Sequence, residues 1–338
     1  MDVRVKDWAT ESRDLPLGRT YQSLRASIIR FLIVFSIVWV CLYALQYLFP
    51  YVQNGAAAVK NVKYAAAQKA GLFSPDAKFR YFAFGNSKSL AGFEPESFDR
   101  ALGGEVTAYN LAIPGDSKFV DLLDSALKAG NVPSHVLLQL LPEADPHESS
   151  FWALLQDNKK IANILFPFRN FVRDAVVFAF ESRGRGVVAQ YRSNADQIRQ
   201  LGEDRGYFFI KSQSHFPGDR LPDGYALPTD RPNEIMKRPF NPSDPDFLRL
   251  MRLAEQYGFQ VFVAPAAFRQ GEYAPPPPVD QALTDALRPF PNAHVLGPAY
   301  WLYEPKEFSD PVHLNPAGAQ KYTSGLADLV GRAAMGEH

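Results

Sequence analysis

The sequence contains almost no cysteine and no excess of charge of either sign. Cys41 is the one cysteine in 338 residues, which excludes an intramolecular disulfide and a zinc site built from cysteines. There is also no HExxH motif and no paired histidine spacing, so we expect neither a metal site nor a cofactor. Lys and Arg number 36, as do Asp and Glu, so the formal net charge is zero. Without a basic cluster, we expect no nucleic-acid partner.

One uncharged stretch, residues 31–49, departs from this otherwise mixed composition. It reads FLIVFSIVWVCLYALQYLF and covers about 28 Å as a helix, close to the hydrocarbon thickness of a bilayer. Six basic residues precede it and three follow within residues 50–69, a bias that favours a cytoplasmic N-terminus. We therefore predict a cytoplasmic segment over residues 1–30 and a transmembrane helix over residues 31–49. The alternatives are a cleaved signal peptide, with a cleavage site at 56–58, and a buried core helix.

The remainder is predicted to be a stalk over residues 50–78 and a body over residues 79–338. In the body, short apolar runs alternate with helical patterns, which is typical of a parallel α/β domain. The alternation breaks over residues 143–242, which we interpret as a helical insertion with a small hairpin or lid. Predicted strands cover residues 79–84, 106–113, 135–141, 260–264 and 294–296. Predicted helices cover residues 94–102, 116–129, 151–165, 168–182, 243–258 and 279–287.

Two of the predicted helices carry capping signals at their first residues. Ser243 is a candidate N-cap for the helix over residues 243–258, which Gly258 would end. Asn315 is a candidate N-cap for a last helix that runs to about Ala334. Pro316 would follow as its first residue, where the missing N–H costs nothing.

A serine follows the first predicted strand, in the segment Gly85-Asn86-Ser87. Ligands of open α/β sheets bind at the carboxyl ends of the strands, so Ser87 is a candidate nucleophile. Serine is also a common helix N-cap, and that interpretation of Ser87 stays open here.

An aspartate and a histidine, Asp310 and His313, stand three residues apart just before the last helix. A histidine in this position can accept the proton of a serine hydroxyl. An aspartate can orient the imidazole through its other nitrogen and stabilise the charged form. Capping of the helix is the alternative interpretation of these residues.

Three blocks in this order resemble the SGNH (GDSL-like) hydrolase superfamily. Phe84-Gly85-Asn86-Ser87 resembles its first block, with Asn86 in place of the usual Asp. The segment 110–117, NLAIPGDS, resembles the second block, and the segment 310–318, DPVHLNPAG, resembles the last. The third block usually supplies an Asn that donates to the oxyanion. Here the third strand runs into Leu141-Pro142-Glu143 instead, and Gln139 is a possible substitute donor.

The resemblance implies a flavodoxin-like three-layer α/β sandwich with about five parallel strands. It implies Ser87 as nucleophile, His313 as general base and Asp310 as its partner. The oxyanion hole would use the backbone N–H groups of Ser87 and Gly115. The anchored architecture looks most like the D-alanyl transfer protein of teichoic acid and the proteins of alginate and cellulose O-acetylation.

On this resemblance we expect an esterase or O-acyltransferase that acts on acyl groups, acetyl first among them, of a cell-surface polysaccharide. Its expected partners are the polysaccharide, an acyl donor, and a membrane acyltransferase or polysaccharide synthase. The expected location is the bacterial cytoplasmic membrane, with the body in the periplasm or outside the cell. The alternative is a non-catalytic accessory subunit, which the missing third-block Asn favours.

Overall fold

The computed structural model describes most of the chain. The described residues are 17–52, 55–103, 105–115, 119–139, 141, 166, 168–209, 216–238 and 240–334. The helix predicted over residues 151–165 lies outside them, as do Glu143 and residue 210 of the hairpin predicted from residues 208–210 and 224–227. The described residues of that hairpin, 208–209 and 224–227, form no strand.

The centre of the body is a five-stranded parallel sheet in the order β2-β1-β3-β4-β6. Counted along this sheet the order is 2-1-3-4-5, the flavodoxin-like order, as predicted. A second, two-stranded parallel sheet pairs β5 with β7 and was not predicted. The strands are β1 (Phe79–Phe84), β2 (Val106–Asn110), β3 (His135–Leu138), β4 (Gln260–Val263), β5 (Ala266–Arg269), β6 (Ala293–Val295) and β7 (Tyr300–Tyr303).

Ten α-helices lie within the described residues. They are α1 (Leu17–Leu48), α2 (Ala56–Ala67), α3 (Ser87–Gly92), α4 (Pro95–Leu102), α5 (Val120–Lys128), α6 (Arg169–Arg185), α7 (Val187–Glu203), α8 (Pro245–Tyr257), α9 (Gln281–Leu287) and α10 (Pro316–Ala334).

Alternation along the strands places a helical layer on each face of the sheet. Phe82 and Phe84 of β1 face a core shared with α5 and α8. Tyr81 and Ala83 face a second core shared with α4 and α10. The architecture is therefore the three-layer sandwich that the sequence predicted.

The residues that cap two helices bear on the capping predictions. Asn315 accepts from the Gly318 N–H at 3.0 Å, so Asn315 and Pro316 begin α10 as predicted. Asp244, and not Ser243, caps α8, because its carboxylate accepts from the N–H groups of Asp246 and Phe247. Gly258 ends α8 in the left-handed conformation, as predicted.

The predicted stalk, residues 50–78, is not a free spacer. Within it, α2 buries Val59, Lys63 and Ala67 against the body. The helix joins the core on the α5 face through Ala67 and a smaller cluster with α3 and α7 through Val59. The composition suggested a spacer because it is rich in alanine and lysine, but small residues at helical spacing also pack closely against a neighbour.

α1 contains a 25-residue stretch, Leu24–Leu48, with a mean hydropathy of 2.5. By length and composition this helix can cross a membrane, and an N-terminal signal sequence has the same properties. None of the stretch is buried against the body.

Candidate active site

Ser87 is the first residue of α3, directly after the carboxyl end of β1. Asn86 provides the N-cap of this helix, because its side-chain oxygen accepts from the Lys88 N–H at 2.9 Å. The interpretation of Ser87 as the cap is therefore wrong. The Ser87 hydroxyl is partly exposed and forms no hydrogen bond with any described residue.

Gly85, just before the cap, is required by a close approach. A Cβ at this position would lie 1.8 Å from Ser89 Oγ and 2.7 Å from Ser89 Cβ. Any other residue would therefore push α3 away from the sheet. Steric contact with Ser89 thus explains why a glycine occupies this position of the first block in this chain.

A buried chain of hydrogen bonds runs beneath α3 and includes Gln139. Ser89 Oγ donates to Gln139 Oε1 at 2.5 Å, and Gln139 Nε2 donates to the Tyr322 hydroxyl at 2.5 Å. Tyr322 donates in turn to the Pro265 carbonyl at 2.8 Å. Gln139 therefore connects β3 to α10. Because both its amide oxygen and its amide nitrogen form buried hydrogen bonds, it is not favoured as the substitute oxyanion donor.

Asp310 and His313 form a buried pair in the turn before α10. His313 Nδ1 lies 2.8 Å from Asp310 Oδ2, and Asp310 Oδ1 accepts from the N–H groups of Val312 and His313 at 2.8 and 2.9 Å. Burial alone would raise the pKa of Asp310, but these hydrogen bonds outweigh it and hold the pKa below its ordinary value. Asp310 is thus a carboxylate that fixes the histidine ring through one nitrogen.

The other ring nitrogen of His313 has no partner. Nε2 is buried and forms no hydrogen bond within the described part of the chain. A buried polar atom without a partner is uncommon and calls for an explanation. With Nδ1 held as a donor to a carboxylate, Nε2 is the ring atom that can accept a proton.

Ser87 and His313 lie on elements that pack together. Thr323 of α10 receives a hydrogen bond from the Glu94 N–H at 3.0 Å and donates to the Gly92 carbonyl at 3.1 Å, which fixes α10 against the end of α3. Burial lowers the pKa of Lys88, next to Ser87, and the charge of Asp310 is one of the smaller contributions that oppose this lowering. No hydrogen bond joins Ser87 to His313 among the described residues, and catalytic hydrogen bonds are often long in unliganded enzymes.

Gly115 follows the segment that continues β2 alongside the end of β1 and Gly85. The Leu111 N–H donates to the Ala83 carbonyl at 2.8 Å, and the Ile113 N–H donates to the Gly85 carbonyl at 3.0 Å. This register brings Gly115 to the same end of the sheet as Ser87. Gly115 is exposed and has a φ of 65°, which favours glycine. The next three residues, 116–118, lie outside the described part.

Sequence reasoning missed a group of charged residues that surrounds Lys88. Lys88 Nζ lies 3.6 Å from the centroid of the Phe268 ring and 3.8 Å from Glu272 Oε1. Burial lowers the pKa of Lys88, opposed by Glu272. Beneath them, fully buried Arg269 donates to Asp230 Oδ1 at 2.6 Å. This ion pair connects β5 to the insertion, which therefore borders the site.

Asn110, in the second block, holds α3 from below. Its side-chain nitrogen donates to the carbonyls of Ser89, Leu90 and Phe93 at 2.8–3.2 Å. Its oxygens accept from Lys63 Nζ of α2, at 2.8 Å for the backbone oxygen and 3.3 Å for Oδ1. Burial holds the pKa of Lys63 well below its ordinary value. No local sequence signal identifies Lys63, because its partner lies on another element.

Among the described residues, no group of three or more His, Cys, Asp or Glu side chains is placed to hold a metal ion. Comparison of the chain with protein-family models, with curated proteins and with solved structures finds no match. The assignment of a function therefore depends on the geometry of the site and on the resemblance of its three sequence blocks.

Proposed function

We propose that this protein is a membrane-anchored serine esterase or O-acyltransferase of the SGNH type. The observation that carries the proposal is the pair of Asp310 and His313, with His313 Nε2 buried and without a hydrogen bond to any described residue. The pair stands beside α3, whose first residue is Ser87. A helix-capping role for Asp310 and His313 does not require this arrangement, because Asn315 caps α10.

In the proposed reaction, Ser87 Oγ attacks the carbonyl carbon of an ester while its proton passes to His313 Nε2. The N–H groups of Ser87 and Gly115 stabilise the oxyanion, and each such donor is typically worth about 3–4 kcal/mol of the barrier. The C–O bond of the ester then breaks, and the leaving alcohol takes the proton from His313. Water or a sugar hydroxyl attacks the acyl-enzyme in a second step of the same kind, which releases Ser87.

The substrate class follows from the resemblance and from the anchor. We propose that α1 holds the body at the outer face of a bacterial cytoplasmic membrane, with residues 1–30 in the cytoplasm. The substrate would then be an acylated polysaccharide of the cell envelope. The acyl donor or acceptor would come from a membrane acyltransferase or a polysaccharide synthase.

A non-catalytic accessory subunit is the second candidate. Two observations favour it: Gln139 is engaged with Ser89 and Tyr322, and no hydrogen bond joins Ser87 to His313 among the described residues. Such a subunit would retain the SGNH fold to bind a glycan or an enzyme partner.

The experiment is acylation of the purified full chain, in detergent, by p-nitrophenyl acetate. We expect release of p-nitrophenol and a mass increase of one acetyl group that maps to Ser87. Ser87→Ala and His313→Ala should abolish both. Ser125→Ala and His294→Ala are the matched controls, because Ser125 lies on the exposed side of α5 and His294 is exposed on the edge strand β6, which β3 and β4 separate from β1.

Loss of acylation in both site variants, with both controls active, supports the enzyme. Folded wild-type protein that neither turns over nor gains an acetyl group would contradict it and favour the accessory subunit. Circular dichroism and thermal unfolding of every variant establish that loss of acylation is not loss of fold.

A further inference from the structure

Much of the outward face of α6 is apolar, apart from exposed Arg173, which is unusual for a helix of a body surrounded by water. Val172, Val176, Val177 and Phe180 are 41–57% exposed. The opposite side of the helix is buried, through Phe171, Asp174, Phe178 and Ser182. A surface helix of a soluble protein normally presents polar residues outward, so the exposed face of α6 calls for a partner.

The contacts of α6 with α1 identify this partner. Phe166, just before α6, packs edge-on against Phe35 with a centroid distance of 6.5 Å. Phe168, at the N-cap of α6, packs in the same way against Trp39 at 5.9 Å. Both Phe35 and Trp39 lie inside the apolar stretch of α1. The beginning of α6 therefore lies beside the middle of the membrane helix.

The depth of these contacts follows from helix geometry. At about 1.5 Å per residue, Trp39 lies about 14 Å, and Phe35 about 20 Å, before the end of α1 at Leu48. The hydrocarbon core of a bilayer is about 30 Å thick. If α1 spans the membrane, Phe166 and Phe168 lie well inside the hydrocarbon core.

Farther along the helix, α6 lies level with the end of α1. Phe178 contacts Tyr191 of α7, and Tyr191 packs against Tyr51, just after α1, with a centroid distance of 5.4 Å. Asn194 donates to the Tyr51 carbonyl at 2.8 Å. Phe168 to Phe178 covers about 15 Å of helix, which matches the distance from Trp39 to the end of α1.

The charged residues of α6 are compatible with this position. Arg173 forms an ion pair with Asp174 at 2.7 Å, and although the arginine side chain is 64% exposed, a long side chain near the membrane surface can extend its charged end to the headgroups. Arg183 and Arg185 stand in the last turn, with the Arg183 guanidinium 4.3 Å from the centroid of the Phe180 ring. Arginines at this level can bind the phosphates of anionic lipids.

We propose that α6 is inserted into the bilayer beside α1, with the face formed by Val172, Val176, Val177 and Phe180 in contact with lipid acyl chains. The body is then held at the membrane surface by two helices instead of standing above it on a spacer. This inference depends on the proposed membrane anchor but not on catalysis.

The test uses the full chain in phosphatidylethanolamine–phosphatidylglycerol vesicles and site-directed spin labels. Cys41→Ser removes the natural thiol, and one cysteine is then introduced at Val176, at Val38 of α1, or at exposed Gln281 of α9. Collision of each label with molecular oxygen, which concentrates in lipid, is compared with collision with a water-soluble nickel chelate. We expect the label at Val176 to resemble that at Val38, with at least a severalfold greater ratio of oxygen to nickel collisions than at Gln281.

Each other outcome overturns the proposal in a distinguishable way. A label at Val176 that resembles Gln281, with Val38 in lipid, leaves the anchor intact and removes α6 from the bilayer. A label at Val176 that neither reagent reaches indicates that protein covers this face, from this chain or a second copy. Water-exposed labels at both Val176 and Val38 overturn the anchor as well. The same measurement with Val172→Cys guards against local misfolding at residue 176.

Discussion

The two ends of the parallel sheet each hold a histidine in apolar surroundings, and the two rings are held differently. At the carboxyl end, Asp310 binds Nδ1 of His313. At the amino end, the His135 ring stacks on Tyr81 at a centroid distance of 4.8 Å, and its Nδ1 lies 2.8 Å from Ser134 Oγ. A hydroxyl and a ring face provide no charge to stabilise an imidazolium.

The difference shows what a carboxylate adds to a buried histidine. Burial, with a smaller contribution from His294, lowers the pKa of His135 from 6.5 to about 4, so this ring is neutral at physiological pH. It is a packing residue that a proton would destabilise. At the carboxyl end, Asp310 has the negative charge that an imidazolium needs, and His313 Nε2 is buried with no hydrogen-bond partner in the described part of the chain.

The largest effect should come from removing that charge. We expect Asp310→Asn to lower the rate of Ser87 acylation by roughly 10³- to 10⁴-fold, because asparagine neither stabilises the imidazolium nor holds the correct tautomer. The measurement is the rate of p-nitrophenol release by the full chain. Asp328→Asn, on the exposed side of α10, is the control and should keep the wild-type rate. A rate for Asp310→Asn within about tenfold of wild type would remove Asp310 from the mechanism.

A smaller effect is expected from His135 on stability in acid. The folded state disfavours the proton, so the unfolded chain binds it first as the pH falls. The contribution of neutral His135 is fully present above about pH 6.5 and is lost as the pH falls towards the pKa of about 4. The difference corresponds to at most about 3 kcal/mol, which partial exposure of the ring reduces.

His135→Phe should keep the ring stacking and abolish this loss. The measurement is urea unfolding of the full chain at about pH 7 and about pH 4.5. His294→Phe, at an exposed position on β6, removes only the smaller contribution to the lowered pKa of His135 and should retain most of the pH dependence of the wild type. Equal acid sensitivity of His135→Phe and wild type would show that another group is responsible.

The smallest effect is expected from a substitution that gives His135, at the amino end of the sheet, a carboxylate neighbour like that of His313. Ser134→Asp would place a carboxylate beside His135 Nδ1, and we expect it to raise the pKa of His135 by about one or more. Titration of the imidazole proton resonances by NMR measures this directly. Ser134→Asn has nearly the same shape without the charge, so a similar rise in that variant would contradict the electrostatic explanation.

The sequence predicts the five-stranded sheet well because its strands are apolar runs buried on both faces. The boundaries of β1 match the prediction, and the other four strands differ from it by a few residues at most. It does not predict β5 and β7. Pro265 and Pro298 precede these short strands, so each resembles a loop until its partner, distant in the chain, is known.

The candidate site likewise contains some residues that local sequence indicates and others that it does not. Ser87, Asp310 and His313 could be proposed from the sequence because local spacing and block order indicate them, and the structure places Asp310 beside His313. Lys63 with Asn110, and Arg269 with Asp230, could not, because each pair is made by two segments far apart in the sequence. The packing of α2 against the body was not predicted for this reason, because the burial of Lys63 depends on the position of Asn110.

The strand order also determines when the site can form during synthesis. β3 pairs with β1 on one side and with β4 on the other, and the whole insertion separates β3 from β4 in the chain. A body that is synthesised in chain order therefore exposes one edge of β3 until residues 260–263 arrive, and long-range parallel pairing of this kind is slow. His313 and α10 emerge later still. A nascent chain thus carries Ser87 without His313, and in the proposed esterase acyl chemistry would begin only when nearly the whole polypeptide has been synthesised.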